Sequence, residues 1–82
     1  MLRYYKPQYS EVRYFGKDAK VDVRIPMPDC TVRFTYHFIL CEDRVMIAKS
    51  HHQYSHMVGE RMTTDMEEAI KSFLKLDELR YQ

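Results

Sequence analysis

The sequence predicts an α+β fold, in which a four-stranded antiparallel meander carries one C-terminal amphipathic helix on one face (ββββα). Two patterns support this prediction: apolar residues alternate strictly over 31–40, and they recur with a helical period over 64–79. With 82 residues the chain has room for one core, so we interpret residues 1–82 as a single domain.

The segment 31–40 is the most regular part of the predicted sheet. Its apolar side chains share one parity: Val32, Phe34, Tyr36, Phe38 and Leu40. Its polar side chains share the other parity: Thr31, Arg33, Thr35 and His37. A period of two with this contrast is typical of a strand that buries one face and exposes the other to water.

Three further strands are predicted at 9–15, 20–25 and 44–49, with residues 1–8 as an N-terminal arm. Turn signals separate them: Gly16, the stretch from Pro26 to Asp29, and the pair Glu42-Asp43. Connections this short favour antiparallel neighbours, so we expect residues 9–49 to form the sheet as a meander.

The turns also predict which side chains face each other. Turns centred on 17–18, 27–28 and 42–43 set Tyr14 opposite Val21, Val23 opposite Val32, and Leu40 opposite Val45. On the outer face the same registers predict ion pairs: Arg13 and Arg33 on either side of Asp22, and Arg24 opposite Glu11. Such pairs contribute roughly 0.2–1 kcal/mol each, so one interpretation of this face is a solvated lattice of charges.

The C-terminal helix is predicted over 64–79. Thr64 and Glu67 fit a capping box at its start, and the apolar stripe consists of Met66, Ala69, Ile70, Phe73 and Leu74. The segment 50–63 is interpreted as a connection with a short helix near 51–58. Ser50 to Gln53 fits a second capping box there, and Gly59 is available to end the helix.

Charge and cysteine content narrow the classes of function. The formal net charge is +1, which argues against sequence-independent binding to nucleic acid, because that depends on many uncompensated cations. Cys30 and Cys41 bracket the strand 31–40 and are expected about 36 Å apart at ~3.3 Å per residue, too far for a disulfide. Two free thiols, no long apolar stretch and no secretory leader predict a cytoplasmic protein without membrane contact, in the host cytoplasm if the chain is viral.

The candidate interaction surface lies on the outer face of the predicted sheet. Arg33, His37 and Arg44 form a cationic group there, and the third turn sets Ile39 opposite Met46 beside them. An apolar pair among arginines is typical of a protein contact or a dimer seam. Isolated surface hydrophobes are also normal, so both interpretations stay open.

The N-terminal arm offers a second kind of contact. Tyr4 and Tyr5 are interleaved with cations, and such rings can stack on bases or dock in a partner's groove. The other interpretation is that these tyrosines cover the edge of the sheet. Together with the outer-face arginines, the arm makes an RNA- or DNA-binding domain the alternative to a protein-binding one.

The segment 51–57 is rich in histidine. On a helix, His52 and His56 share a face at i,i+4 spacing and could hold one metal ion. Apart from Glu60 no third ligand stands at close spacing, and ligand number is the test of such a site. We therefore expect no metal, no cofactor and no catalytic residues. A histidine-based metal site or small nuclease is the second alternative.

These observations favour a non-enzymatic protein-binding module. The expected partner is a larger intracellular protein or complex, and the expected role is that of an inhibitor or regulator encoded by a phage or another mobile element. In size and layout only, the chain is similar to small phage-encoded inhibitors, anti-CRISPR proteins among them, and that similarity implies inhibition through protein contact. Homodimerisation is an additional expectation that the Ile39 and Met46 pair leaves open.

Overall fold

The computed structural model of the protein describes residues 5–81, which form a six-stranded antiparallel sheet and one helix. The strands are β1 (Gln8–Tyr9), β2 (Arg13–Phe15), β3 (Asp18–Pro26), β4 (Thr31–Leu40), β5 (Val45–His51) and β6 (Tyr54–Arg61), and the helix α1 spans Met66–Leu79. The spatial order is β1-β3-β4-β5-β6, with β2 paired to the same strand as β1. The α+β prediction, with an antiparallel sheet and a C-terminal helix, is confirmed, but four strands are too few.

The predicted strand 9–15 is wrong because the chain is interrupted there. Tyr9 lies opposite Val23 and Arg13 lies opposite Lys20, so the N-terminal segment has one residue more than β3 between these pairs. The Ser10 hydroxyl accepts a hydrogen bond from the Asp22 backbone N–H at 2.9 Å. An extra residue of this kind splits a strand locally, which leaves β1 and β2 as two short pieces.

Two of the three predicted registers are displaced by two residues. Gly16 has a φ of +61° and occupies the first position of the β2–β3 turn, so Tyr14 faces Ala19. Pro28 follows Met27, whose N–H donates to the Cys30 carbonyl at 2.8 Å, and this sets Val23 opposite Phe34. A shift of two preserves which face each residue occupies. The third register, with Leu40 opposite Val45, is confirmed.

The predicted short helix near 51–58 is wrong, because this segment forms the β5–β6 hairpin. His52 and Gln53 are the two turn residues, and His52 has a φ of 56°. That left-handed backbone is a position that glycine normally takes in a two-residue hairpin. The sequence around His52 therefore lacks the usual turn signal, although the chain reverses there.

The N-cap of α1 lies one residue later than predicted, and the helix itself begins at Met66. Asp65, not Thr64, is the N-cap, and its side chain accepts a hydrogen bond from the Glu68 backbone N–H at 3.3 Å. An aspartate N-cap satisfies a backbone donor that has no partner within the helix. The predicted apolar stripe is confirmed, since Ala69, Ile70 and Phe73 are buried, with Met66 and Leu74 packed at the margin.

The core lies between α1 and the inner face of the sheet. The largest fully buried side chains are Phe38, Ile47, Val21, Val23 and Val45. The Phe73 ring of α1 lies edge-on to two rings of β4, with centroids 4.9 Å from Tyr36 and 5.8 Å from Phe38. Edge-to-face contacts add to the energy gained from apolar burial, so they fix where the helix rests on the sheet.

One charged side chain is buried at this interface. Asp77 of α1 is only 2% exposed, and each of its oxygens accepts a hydrogen bond from a tyrosine hydroxyl. Tyr9 donates to Oδ2 and Tyr36 donates to Oδ1, both at 2.7 Å. The Arg80 guanidinium is 3.8 Å from Oδ1. Because a buried carboxylate is costly without donors, these contacts make Asp77 a junction between β1, β4 and α1.

We expect Tyr36→Phe to lower the free energy of unfolding by about 1.5–3 kcal/mol, because it deprives a buried carboxylate of a charge-assisted hydrogen bond. Denaturant melts measure this change. Tyr54→Phe is the matched control, since Tyr54 is 79% exposed and its hydroxyl is expected to contribute no more than about 0.5 kcal/mol. Equal stability of Tyr36→Phe and the wild type would contradict the role of the junction.

The same junction predicts sensitivity to alkali. Burial, followed by the hydrogen bond and negative charge of Asp77, raises the pKa of Tyr9 and Tyr36 well above the usual value of 10.0. The stabilisation that depends on these protons is complete below about pH 10 and is lost as the pH rises further, because only the unfolded chain releases them there. Melts above pH 10 should show a smaller pH dependence for Tyr36→Phe than for the wild type, and an unchanged one for Tyr54→Phe.

Candidate functional site

The outer face of the sheet is the most extensive candidate surface, since α1 lies on the opposite face. Three adjacent strands, β4, β5 and β6, place apolar side chains next to one another there. We call this group the outer patch, and it consists of Ile39, Met46, Ala48 and Met57, together with the exposed bulge residue Val58 that follows Met57. Ile39 lies directly opposite Met46, as predicted, and Ala48 lies opposite Met57.

Ala48 lies at the centre of the outer patch. It is only 5% exposed although it is on the face away from α1, because His37 and Met57 are its neighbours on either side. Met57 is 50% exposed and Val58 is 37% exposed. The larger side chains around Ala48 therefore cover it, and Met57 and Val58 are the members of the patch that a partner would contact.

Charged groups at the rim of the outer patch are paired. The Arg44 guanidinium contacts Asp43 at 2.9 Å and Glu60 at 3.1 Å. Its hydrogen bonds hold the pKa of Asp43 below the usual range. The His37 ring lies 3.5 Å from Asp18. The patch therefore combines an apolar centre with a polar rim of both signs, which is the usual anatomy of a protein interface.

The other end of the outer face carries two arginines side by side. Arg24 and Arg33 are cross-strand partners, an arrangement that is destabilising for like charges. Arg24 donates to the Gln8 Oε1 atom through both Nε and Nη2, at 3.1 and 2.5 Å, so a neutral amide holds it. Both arginines line a cleft of about 630 Å³, together with His51 and His52 of the β5–β6 hairpin.

The predicted ion-pair lattice is correct in one pair and wrong in two. The Arg13 guanidinium does contact Asp22, at 2.8 Å. Arg33 does not flank Asp22, because the two-residue shift of the β3–β4 register sets Thr35 there, and Thr35 donates its hydroxyl to that carboxylate at 2.8 Å. Arg24 does not face Glu11, because the interruption after Tyr9 sets Gln8 opposite Arg24.

The structure brings together four of the predicted surface residues. His37, Ile39, Arg44 and Met46 surround one end of the outer face. Arg33 lies four residues from His37 along β4, a separation of about 13 Å, and belongs to the cleft instead. Tyr5 is 39% exposed and precedes β1, and Tyr4 lies outside the described residues.

The histidine-rich segment takes a different form from the one predicted. His52 is in the turn and His56 lies in β6 opposite Lys49, so the i,i+4 argument for a shared helical face does not apply. Across residues 5–81, no group of three or more His, Cys, Asp or Glu side chains is arranged to hold a metal ion. His51 and His52 instead place their rings against each other, with centroids 4.2 Å apart.

Sequence reasoning missed Ala48, Met57 and Val58. All three depend on β6, which pairs with β5 and completes the patch, whereas the predicted helix removed this strand from the sheet. The β-branched Val58 and the aromatic Tyr54 are strand-favouring residues that could have signalled β6. Cys30 and Cys41 are free and exposed, as expected from their separation.

Comparison with protein-family models, with curated proteins and with solved structures finds no match to this chain. Within residues 5–81 the helix is α1, and it is neither long enough nor apolar enough to cross a lipid bilayer. The surface geometry is therefore the basis for a functional proposal.

Proposed function

We propose that the protein is a non-enzymatic protein-binding module that docks on a larger protein through the outer patch and thereby regulates or inhibits it. The observation that carries this proposal is the half-exposed Met57, which lies on the face away from α1 together with the Ile39 and Met46 pair. Exposed apolar side chains of this kind suit the centre of a protein contact, and methionines adapt their shape to it.

The paired charges around the outer patch support a protein partner. Arg44 is held by two carboxylates and His37 faces Asp18, so the cationic groups in this part of the surface are offset by carboxylates. A rim with groups of both signs fixes the orientation of a partner that carries charges of both signs, and carboxylates around its cations give it little attraction for the phosphates of a nucleic acid. We propose that the partner presents an apolar anchor within a rim of mixed charge.

The role of inhibitor or regulator encoded by a phage or another mobile element remains part of this proposal. A module of this size can regulate a larger protein by covering one of its functional surfaces. Standard interfaces bury roughly 800 Å² on each partner, and the open face of a sheet with strands of seven to ten residues offers a surface on that scale.

Ile39→Asp tests the proposal, because a carboxylate in the outer patch would be desolvated by an apolar anchor. We expect the variant to lose at least about tenfold in affinity for the partner that co-purifies stoichiometrically with the wild type. Leu76→Asp is the matched control, since Leu76 is 56% exposed on α1, and it should bind as the wild type does. The absence of a stoichiometric partner, or equal binding by Ile39→Asp, would reject the proposal.

A second candidate function is the binding of single-stranded RNA or DNA in the arginine-lined cleft. The observation in its favour is the like-charged pair Arg24 and Arg33, whose facing positions weaken the sheet unless an anion lies between them. Guanidinium groups donate in a fixed geometry that matches the oxygens of a phosphate.

A salt titration of binding to a single-stranded oligonucleotide separates the two candidates. For this second function, Arg33→Gln should weaken binding and reduce the slope of log affinity against log salt by about 1, because one phosphate contact is removed. Lys75→Gln, which changes an exposed side chain on α1, is the control and should leave the slope unchanged. No binding at low salt, or identical slopes for all variants, would exclude this function.

A further inference from the structure

The two edges of the sheet are built differently. At one edge, β1 has only two residues and follows Pro7, and β2 has three. At the other edge, β6 has eight residues and contains neither lysine nor proline. Proteins usually keep sheet edges from pairing with other chains by shortening them or by adding lysine, proline or bulges. By that standard the β1 and β2 edge is protected by its short strands, whereas β6 is long and has a bulge and two charged residues, Glu60 and Arg61, near its C-terminal end.

Several side chains of β6 are apolar and exposed, which favours contact with another chain. Tyr54, Met57 and Val58 are among the exposed large hydrophobic residues. The outward-facing backbone N–H and C=O groups of an edge strand have no partner within the sheet, and they form a template for an added strand. A strand of this length with exposed apolar side chains at its centre is a surface at which another strand pairs.

We propose that β6 pairs in antiparallel fashion with β6 of a second copy of this chain, about a two-fold axis that passes between Met57 and Val58. This register uses all eight residues of the strand. Its pairs across the axis are Tyr54 with Arg61, Ser55 with Glu60, His56 with Gly59, and Met57 with Val58, each occurring twice. A two-fold contact of this kind is closed, so association stops at the dimer.

The bulge in β6 is the first argument for this register. Ala48 faces Met57 while Ile47 faces Gly59, so Val58 is the extra residue, and it is in the middle of the strand. Because of the bulge, the alternation of inner-facing and outer-facing side chains is displaced by one residue between the two halves of β6. The two-fold axis sets the bulge of one copy opposite the bulge of the other, so residues that face each other belong to the same face of the sheet. His56 and Gly59 both belong to the inner face, and Ser55 and Glu60 both belong to the outer face. A slip of one residue in either direction sets inner positions against outer ones.

Charge is the second argument. In the proposed register Glu60 meets Ser55, which can donate a hydrogen bond to it, and Arg61, whose guanidinium is held by Ser72 and lies over the Phe73 ring, meets the uncharged Tyr54. No position of β6 meets a like charge, because its formal charges, Glu60 and Arg61, both face uncharged residues. A second copy is therefore a complementary occupant of the edge on both faces.

Dimerisation about this axis has a structural consequence for the outer patch. Met57 and Val58 belong to the patch and also lie at the axis, so the patches of the two copies become one continuous surface on a sheet of twice six strands. The inference stands on the backbone of β6 and does not require the proposed docking function. Ile39→Asp, which is on β4, is expected to leave the dimer intact even if it abolishes docking.

The mass of the protein in solution is the first test. Sedimentation or light scattering over a wide range of concentrations should give a wild-type mass of twice 10.0 kDa. The double variant Met57→Lys, Val58→Lys should raise the dimer dissociation constant by about tenfold or more, since like charges then face each other at two symmetry-related pairs. The control is Leu76→Lys, Leu79→Lys, at positions that are 56% and 51% exposed on α1, and it should dimerise as the wild type does.

Cysteine cross-linking tests the register in a Cys30→Ser, Cys41→Ser background. A mixture of the Ser55→Cys and Glu60→Cys proteins should form a disulfide dimer, because directly opposite Cα atoms lie roughly 4.5–5.5 Å apart. Ser55→Cys alone should not form this dimer, because the two copies of residue 55 are offset by about 16 Å along the strands.

A wild-type protein that is monomeric at every concentration would overturn the inference, and the β6 edge would then be available to a strand of another protein. A dimer that is insensitive to the lysine pair, or cross-linking by Ser55→Cys alone, would overturn it as well.

Discussion

The buried carboxylate of Asp77 is the interaction on which the arrangement of this fold depends. Its two oxygens receive hydrogen bonds from Tyr9 and Tyr36, which come from the N-terminal strand and from the centre of the sheet. Burial of a charge is unfavourable unless donors of good geometry compensate for the lost water. The helix can therefore satisfy Asp77 only in one position along the sheet, and this position also places the Phe73 ring against β4. The junction specifies the docking of α1 beyond what apolar contact alone requires.

The position of α1 decides which surfaces remain for function. One helix covers the inner face of a sheet that contains six strands, so the outer face and the β6 edge are left to solvent or to partners. Alternation along β3 and β4 would normally make such an outer face polar. That expectation holds near Asp22, where Arg13 and Thr35 satisfy the carboxylate. It fails around Ala48, where apolar side chains from three strands meet, and this local departure is the reason to place the candidate interface there.

Residues far apart in sequence acquire their roles through β6. This strand supplies Glu60 to Arg44 and Met57 to the position opposite Ala48. It also forms the longer edge of the sheet. The bulge at Val58 brings these roles together, because it turns Met57 toward the outer face while Gly59 keeps the inner register opposite Ile47. The docking surface and the proposed dimer seam are therefore adjacent parts of one region.

The sequence by itself determined the fold class, the limits of β4, the apolar stripe of α1 and the facing of Ile39 and Met46. Each of these follows from local periodicity or from a turn of fixed length, and both are properties of a few consecutive residues. The junction at Asp77, the facing of Arg24 and Arg33, and the strand β6 were decided only by the tertiary structure. An acidic residue near the end of a helix is predicted to be exposed to solvent, and here only contacts with tyrosines distant in sequence bury it. A register shift of two residues between strands leaves each side chain on the same face of the sheet, so the apolar pattern cannot reveal it. The turn at His52 contains no glycine, so the sequence does not predict it. Its left-handed backbone is stabilised by the pairing of the strands on either side.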